Sequence, residues 1–336
     1  EAVAREIVQH GGPVPEKITI SDNSESGDIW QWLYDILGCI TDGDELFFDL
    51  THGWRMQSLV FSAGINFVRR VRKVSVSAVY YGMYEKDRSP TAIVNLVDFY
   101  AINDWADAIG RLVDMADTRK LAAMVSEAPE HQFGHLADEP LVEALKKLGL
   151  CLTNINVNEV ATFADDALAV VKHKMEDATQ AERLLLESVI KAFGELGDKR
   201  GERCYDATYY ELQRSIIKLL VQYGYYMQAF TVMRECIGSL GMTWRGGKYC
   251  GKDRAKRLYA NTLCRMLGYD QESWEFEGDE IKVKQNLLSL KEENESEWTS
   301  LSSLYRELAK IRNGFDHAWT STSMPEKITE QAQSIH

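Results

Sequence analysis

The chain has 336 residues, of which 45% are apolar, 10% aromatic and 26% charged. This composition is typical of a globular protein and excludes a disordered, collagen-like or disulfide-stapled chain. The formal net charge is −13. Such a chain repels nucleic acid at long range, so local cations and backbone amides must hold any RNA or phosphate ligand.

The cysteine pattern and the hydropathy favour a cytoplasmic protein without a membrane partner. The cysteines lie far apart and form no C-x-x-C pair, which favours reduced thiols over a zinc ribbon or a disulfide framework. No apolar run approaches the ~20 residues of a membrane helix, and no secretory signal is present. Because the chain begins at Glu1 inside a predicted helix, we expect its N-terminal segment to be incomplete.

The first hundred residues alternate between strand and helix patterns. Residues 45–50, 74–81 and 91–97 are short runs rich in apolar, β-branched and aromatic side chains, which predict strands. Between the first two runs, apolar residues from Met56 to Phe67 recur at helical spacing. Strand, helix and strand within this length predict a βαβ unit and a parallel α/β sheet.

The rest of the chain carries helical spacing with few breakers. The predicted helical segments are 104–124, 140–148, 159–193, 206–240, 254–267 and 296–313. Four glycines predict a loop over 241–251, and the acidic stretch 275–298 predicts a solvated helix and loop. The C-terminal part is therefore expected to be all-α.

A polar motif, D-L-T-H-G-W-R, occupies residues 49–55, where a predicted strand meets a predicted helix. Ligands of open α/β sheets bind beyond the carboxyl ends of the strands, and a helix N-terminus there suits a phosphate. Thr51 can donate a hydrogen bond, Gly53 permits close approach and Arg55 can bind a phosphodiester. A purely structural interpretation fits the motif equally well: Asp49 and Thr51 would cap the helix and His52 would lie in the core.

A second motif, R-N-G-F-D-H, occupies residues 312–317 at the end of a predicted helix. RNA supplies its own 2′-OH nucleophile, so a histidine that moves protons and an arginine that neutralises the phosphorane suffice for metal-free cleavage. Asn313 and His317 share a helix face, whereas Arg312 lies about 140° away. For Arg312 and His317 to act together, either Gly314 must loosen the helical turn or the long Arg312 side chain must bend into the cleft that holds His317. An ordinary surface helix end fits the spacing as well.

Together the motifs resemble those of one protein family. D-L-T-H-G-W-R, followed by an apolar helix and by Y-Y-G-M-Y-E at 80–85, resembles the CARF domain of CRISPR-associated proteins. R-N-G-F-D-H is similar to the R-x-x-x-x-H signature of HEPN ribonucleases, and the helix that carries Tyr226, Ala229, Arg234 and Glu235 is similar to the preceding helix of that domain.

The resemblance implies an α/β, Rossmann-like CARF sensor lacking its first strand (residues 1–125), a helical linker (126–200) and an all-α HEPN ribonuclease (201–336). It implies an accessory, metal-independent endoribonuclease of type III CRISPR systems that cleaves single-stranded RNA to a 2′,3′-cyclic phosphate. The activator would be a cyclic oligoadenylate of four or six units, with no further cofactor, and the partners would be RNA and other copies in a homodimer or higher oligomer.

The resemblance also assigns roles to individual residues. The catalytic set is Arg312, His317 and Asn313, and no residue is expected to bind a metal. The activator-binding set lies at the ends of the first two strands and comprises Asp49, Thr51, His52, Gly53, Arg55, Tyr81 and Gly82.

Two other functions stay open at this point. One is a non-catalytic CARF sensor with a helical partner-binding domain, and the other is a phosphohydrolase that uses Asp49 and His52, for which the sequence offers no second carboxylate cluster. A basic stretch over 245–257 could line an RNA entry or could equally be a solvated face. It comprises Arg245, Lys248, Lys252, Arg254, Lys256 and Arg257.

Overall fold

The structure is a computed structural model that describes residues 2–12, 14–15, 26–51, 55–83, 92–127, 133–197, 205–243, 254–320 and 328. The chain divides into two compact units, residues 1–104 and 105–336. The first is a small α/β unit, and the described part of the second is helical. The boundaries predicted at 125 and 200 remain predictions.

The first unit contains a three-stranded sheet and helices. Its elements are α1 (Ala2–Gln9), α2 (Ser26–Gly38), β1 (Glu45–Asp49), α3 (Arg55–Val71), β2 (Ser75–Met83), β3 (Ala92–Asn95) and the first part of α4 (Val97–Met115). The predicted βαβ unit is confirmed, because β1 and β2 pair in parallel on either side of α3 in the chain.

The third strand departs from the predicted parallel sheet, because β3 pairs antiparallel with β2. A parallel connection needs a crossover of about a dozen residues or more, whereas only residues 84–91 separate the two strands. The side chain of Asn95 marks the end of β3. Its Oδ1 accepts hydrogen bonds from the backbone N–H of Val79 at 3.0 Å and of Val97, the first residue of α4, at 3.1 Å.

A small apolar core holds this unit together. Leu50, Ile65, Val79 and Tyr100 form one buried cluster, and they come from the end of β1, from α3, from β2 and from α4. Each element therefore contributes to the burial that stabilises its neighbours. The carboxyl ends of β1 and β2 are fixed by this cluster.

The second unit contains the end of α4 and a succession of helices. They are α5 (Arg119–Glu127), α6 (Glu139–Thr153), α7 (Val160–Asp177), α8 (Gln180–Gly197), α9 (Ala207–Gln222), α10 (Tyr226–Thr243), α11 (Arg254–Gly268), the short 3-10 helix η1 (Gln271–Ser273), α12 (Asp279–Glu293) and α13 (Glu295–Asp316). The helical prediction is confirmed for the described residues. Three predicted helices, 104–124, 159–193 and 206–240, are each divided into two.

The break in 159–193 has a side-chain cause. Glu182 is fully buried, and its carboxylate accepts hydrogen bonds from the backbone N–H of Thr179 at 2.8 Å and of His135 at 3.2 Å. The Thr179 hydroxyl oxygen in turn accepts a hydrogen bond from the Glu182 N–H at 3.4 Å. This reciprocal pair is a capping box, and it starts α8 at Gln180.

The other two breaks lie at backbone positions with positive φ. Gly224, between α9 and α10, has a φ of 73°, which glycine adopts without strain. Ala116, between α4 and α5, has a φ of 54°. Its carbonyl oxygen would lie 2.8 Å from a Cβ atom on Gly149 of α6, so only glycine permits this approach of the two segments.

The described cysteines, 39, 151, 236 and 264, are free thiols. Burial raises the pKa of Cys151 to about 12 and that of Cys236 to about 11, so both stay protonated near neutral pH. Among the described helices, none combines the length and apolar character needed to cross a bilayer.

The capping box generates a stability prediction. Replacing Glu182 with alanine removes a buried carboxylate that accepts hydrogen bonds from two partly buried N–H groups, so we expect the free energy of unfolding to fall by about 2–4 kcal/mol. Urea titration followed by far-UV circular dichroism measures this. Glu187→Ala changes an exposed glutamate of the same helix and should cost less than about 0.5 kcal/mol. Equal losses in the two variants would contradict the role of the box.

Candidate functional site

The ends of β1 and β2 are joined by the side chains of the first motif. Asp49 Oδ1 accepts a hydrogen bond from the Thr51 N–H at 2.9 Å, and Leu50 donates its N–H to the Tyr80 carbonyl at 2.8 Å. The Thr51 hydroxyl oxygen accepts the Gly82 N–H at 2.8 Å. Because that bond uses a lone pair of the oxygen, the hydroxyl hydrogen of Thr51 stays available to a ligand.

Gly82 is the residue that lets the two strand ends meet. A Cβ atom at this position would lie 2.7 Å from Cγ2 of Thr51, which is closer than side-chain atoms pack. Tyr81, the preceding residue, is 41% exposed although its ring is large. The sequence thus brings Asp49, Thr51, Tyr81 and Gly82 to one edge of the sheet.

The remaining residues of the first motif are described only in part. His52 and Gly53 lie outside the described residues. Arg55 is the first residue of α3, and only its backbone is described. Its position confirms the predicted strand-to-helix junction, so the first turn of α3, whose N–H groups have no acceptor within the helix, follows the carboxyl end of β1.

A cavity of about 480 Å³ opens beside these strand ends, and sequence reasoning missed its polar wall. Its lining residues are Leu50, Ser58, Leu59, Ser62, Asn66, Tyr81, Leu96, Phe99, Tyr100 and Asn103. The Tyr100 hydroxyl donates to Ser62 Oγ at 3.0 Å, and Asn103 donates to Asn66 Oδ1 at 3.1 Å. Ser58, Ser62 and Asn66 are spaced four apart, so this polar stripe on α3 was detectable.

The second motif lies at the exposed end of α13. The helix continues to Asp316, and His317 caps it by donating its N–H to the Asn313 carbonyl at 3.0 Å. The side chains of Asn313 and His317 are exposed. They lie on one face of the helix, as their spacing predicts.

Gly314 does not loosen the helix, contrary to one of the two expectations. It lies within regular α13, and its lack of a side chain has another use. The Trp319 indole packs so closely on it that a Cβ atom would overlap the ring. The chain turns back after His317 through Ala318 and Trp319, which have φ of 48° and 58°, and Trp319 donates its N–H to the Gly314 carbonyl at 2.7 Å.

Arg312 lies on the packed side of α13, away from His317. One of its terminal nitrogens is 3.2 Å from a carboxylate oxygen of Asp316, and its side chain is 30% exposed. Its Nε atom is buried and has no hydrogen-bond partner among the described residues. Within one chain, therefore, Arg312 and His317 are about 140° apart on the helix.

Helices α10, α11 and α13 meet in a polar network close to this motif. The Arg234 guanidinium and the Cys264 thiol both lie beside the Tyr305 hydroxyl and interact with it electrostatically. Burial raises the pKa of Cys264 and that of Tyr305, so both stay neutral near pH 7. The network ties α13 to its two neighbours through side chains that a sequence pattern does not pair.

Glu235 forms an ion pair with Arg257, the last residue of the predicted basic stretch. It binds Arg234 at 2.6 Å through one carboxylate oxygen and Arg257 at 2.7 Å through the other. Arg257 therefore has an internal partner. Residues 245–253 lie outside the described residues, as do the side chains of 254–256, so the rest of the predicted basic face is a prediction.

Among the described residues, no group of three His, Cys, Asp or Glu side chains has the arrangement of a metal site. Asp49, which the phosphohydrolase hypothesis requires, has one carboxylate oxygen bound to the Thr51 N–H.

Comparison with known proteins gives one short match. No protein-family model matches the chain. A segment of 86 residues is 26% identical to CRISPR-associated protein MJ1674 of Methanocaldococcus jannaschii. The segment is 25% of this chain and spans 14% of the length of that protein. The match supports a CRISPR-associated protein, and it does not extend to the CARF and HEPN assignments.

The contact between Gly314 and Trp319 generates a prediction. Gly314→Ala introduces a methyl group where the indole lies, so we expect a loss of about 1–3 kcal/mol in the free energy of unfolding. In the double variant Gly314→Ala/Trp319→Ala the clash is absent, so the loss should be smaller than the sum of the two single losses. Urea unfolding of the four proteins measures the coupling. Additive losses would contradict the contact.

Proposed function

We propose that this chain is a cyclic-oligoadenylate-activated, metal-independent endoribonuclease of CRISPR defence. The observation that carries the proposal is the end of α13, where Asn313 and His317 are exposed beside a half-buried arginine. The junction after β1 and the match to a CRISPR-associated protein support the same assignment. The CARF and HEPN domain identities belong to this proposal.

The activator would bind at the carboxyl ends of β1 and β2. Thr51 can donate its hydroxyl hydrogen there, the first turn of α3 offers backbone N–H groups, and Arg55 can bind a phosphodiester. The cavity beside Tyr81 has the size of a small-molecule site, and its serine and asparagine side chains can hydrogen-bond a base edge. The junction would hold the phosphates of an adenylate, and the cavity would hold its base.

The cleavage step needs a proton acceptor, a proton donor and a cation. The 2′-oxygen of the substrate would attack the adjacent phosphorus as His317 takes or returns a proton, and the bond to the 5′-oxygen would break. The 5′-oxygen leaves as a hydroxyl, and the other fragment ends in a 2′,3′-cyclic phosphate. Arg312 would neutralise the charge that develops on the phosphorane.

Two chains would complete this site better than one. Because Arg312 and His317 are about 140° apart in one chain, a single helix end does not direct both at one phosphate. Two copies related by a two-fold axis would bring two arginines and two histidines around the scissile bond. Activator binding would then act by changing the spacing between the paired helix ends.

The chemistry predicts the effect of removing the imidazole. His317→Ala should lower the rate of RNA cleavage by ~10²–10⁴-fold, because the proton-transfer group is lost. The fold should persist, since the cap uses the backbone N–H of residue 317. Cleavage of a labelled single-stranded RNA with activator measures the rate. His173→Ala, which removes a histidine that is 78% exposed on α7, is the matched control.

The same assay separates the open alternatives. EDTA should not inhibit, and RNA with a 2′-O-methyl group at the cleaved position should survive. Activity in His317→Ala, or cleavage of DNA, would assign the chemistry elsewhere. A protein that binds cyclic oligoadenylate but cleaves no RNA would be the non-catalytic sensor.

The sensor site predicts a change in activator affinity. Thr51→Ala removes the hydroxyl, so the binding free energy of cyclic oligoadenylate should weaken by about 1–3 kcal/mol. Thr51→Ser keeps the oxygen that accepts the Gly82 N–H and should bind nearly as wild type. Isothermal titration calorimetry measures both. Equal affinity of the alanine and serine variants would remove Thr51 from the site.

A further inference from the structure

A second cavity, of about 460 Å³, lies in the helical unit and has no part in the chemistry above. It is bounded by the end of α11, by η1, by the last turn of α12 and by the first half of α13. The residues that matter here are Tyr269, Trp274, Lys291, Ser302, Ser303 and Arg306. Its size is within the range of pockets that bind small ligands or single groups of larger ones.

Two aromatic side chains supply flat surfaces at this cavity. The Tyr269 side chain is 62% exposed. Trp274 is fixed in place, because its Nε1–H donates to the Tyr269 carbonyl at 2.9 Å and Lys291 lies 5.8 Å from its ring centre. Exposed aromatic rings in a polar cavity are the surfaces on which unpaired nucleobases stack.

The charged residues of the wall balance one another. Arg306 donates to Asp270 Oδ1 at 2.8 Å and to the Leu267 carbonyl at 3.2 Å, and Lys291 donates to Gln271 Oε1 at 3.1 Å. Glu295 is the second carboxylate of the wall, so Asp270 and Glu295 equal the two cations Arg306 and Lys291 in number. A balanced wall with serine hydroxyls suits a neutral group with several hydrogen-bonding edges, which describes a nucleobase better than a phosphate.

The cavity and the R-N-G-F-D-H motif lie on the same face of α13. Seven exposed residues fall within a stripe about 80° wide on an ideal helix. They are Glu295, Thr299, Ser303, Arg306, Lys310, Asn313 and His317. The carboxylate of Glu295 lies in the first turn of α13, and the rest of the stripe, from Thr299 to His317, carries two cations.

The distance along the stripe fits a short piece of RNA. Arg306 and His317 are about 16 Å apart along the helix axis. At the 3.4 Å spacing of stacked bases this distance corresponds to about five nucleotides, and to fewer if the strand is extended. Lys310 lies between the two ends, where the phosphates of such a strand would pass.

We propose that this cavity is a base-binding subsite for the single-stranded RNA substrate. One unpaired base stacks on Tyr269 or Trp274, within about five nucleotides of the bond that is cleaved at His317. The inference rests on the proposed ribonuclease function and deepens it, because it gives the enzyme a contact that positions the strand.

The test measures RNA binding in the cleavage-silent His317→Ala protein by fluorescence anisotropy of a labelled 12-nucleotide strand. Ser303→Glu places a carboxylate in the cavity, where it should displace the stacked base. The Kd should rise about tenfold or more, because loss of one stacked base lowers affinity by a factor of that order. Ser300→Glu adds the same charge to an exposed residue of the same helix, about 60° from Ser303 and about 100° from the middle of the stripe. It should change the Kd less than twofold.

A second pair of variants tests the aromatic surface. Tyr269→Ala should raise the Kd by a similar factor, whereas Tyr269→Phe keeps the ring and should bind within twofold of the parent. An RNA series with one abasic nucleotide should lose affinity at one position within five of the cleaved bond.

The outcomes separate this inference from the function on which it rests. Equal effects of Ser303→Glu and Ser300→Glu, together with an abasic series that shows no preferred position, would overturn the subsite while RNA cleavage by the wild type stands. Absence of both RNA binding in His317→Ala and RNA cleavage in the wild type would overturn both proposals.

Discussion

The packing of α13 against α10 and α11 is the constraint on which both ends of the proposed RNA site depend. Its buried side carries Tyr305, Leu308 and Ile311, and Phe315 lies 6.1 Å from Phe230 of α10, measured between ring centres. With that side fixed, the opposite side must face outward over its whole length. The exposed stripe that ends at His317 is therefore a consequence of the core, and it is continuous because α13 is unbroken from Glu295 to Asp316. Burial of one face thus determines what the other face can present.

The same constraint explains why the two residues of the R-x-x-x-x-H spacing differ in environment. Five positions rotate a helix by about 140°, so Arg312 faces the neighbouring helices when His317 faces solvent. The arginine binds Asp316 at 3.2 Å and leaves its Nε without a partner among the described residues. A buried N–H without a partner is costly, which fits a side chain whose full set of acceptors comes from outside the chain. In the proposed enzyme the second chain and the RNA phosphate would provide them.

The sequence patterns predicted the strands and helices better than they predicted where one element ends and the next begins. The strand and helix types followed from periodicity, and the motif at 49–55 was correctly located between a strand and a helix. Three helix breaks were missed, although Thr179 and Glu182 have capping-box spacing and Gly224 is a recognisable helix terminator. The orientation of β3 could have been deduced from the short connection. Two sets of contacts could not have been deduced from the sequence, because packing alone brings their residues together. They are the contacts of Tyr305 with Arg234 and Cys264, and the contact of Gly314 with Trp319.

Charge explains how an acidic chain could still hold RNA. With a net charge of −13, long-range attraction to a polyanion is absent, so affinity must come from short-range contacts. Many cations of the described residues are already neutralised, as Arg257 is by Glu235 and Arg306 by Asp270. Stacking and hydrogen bonds to bases depend little on net charge, whereas phosphate contacts release counterions and weaken with salt. A protein with this balance would bind a strand through few phosphates and depend on base contacts near the cleaved bond. The acidic surface would then discourage duplexes, whose bases are already stacked and paired, and leave single strands as the substrate.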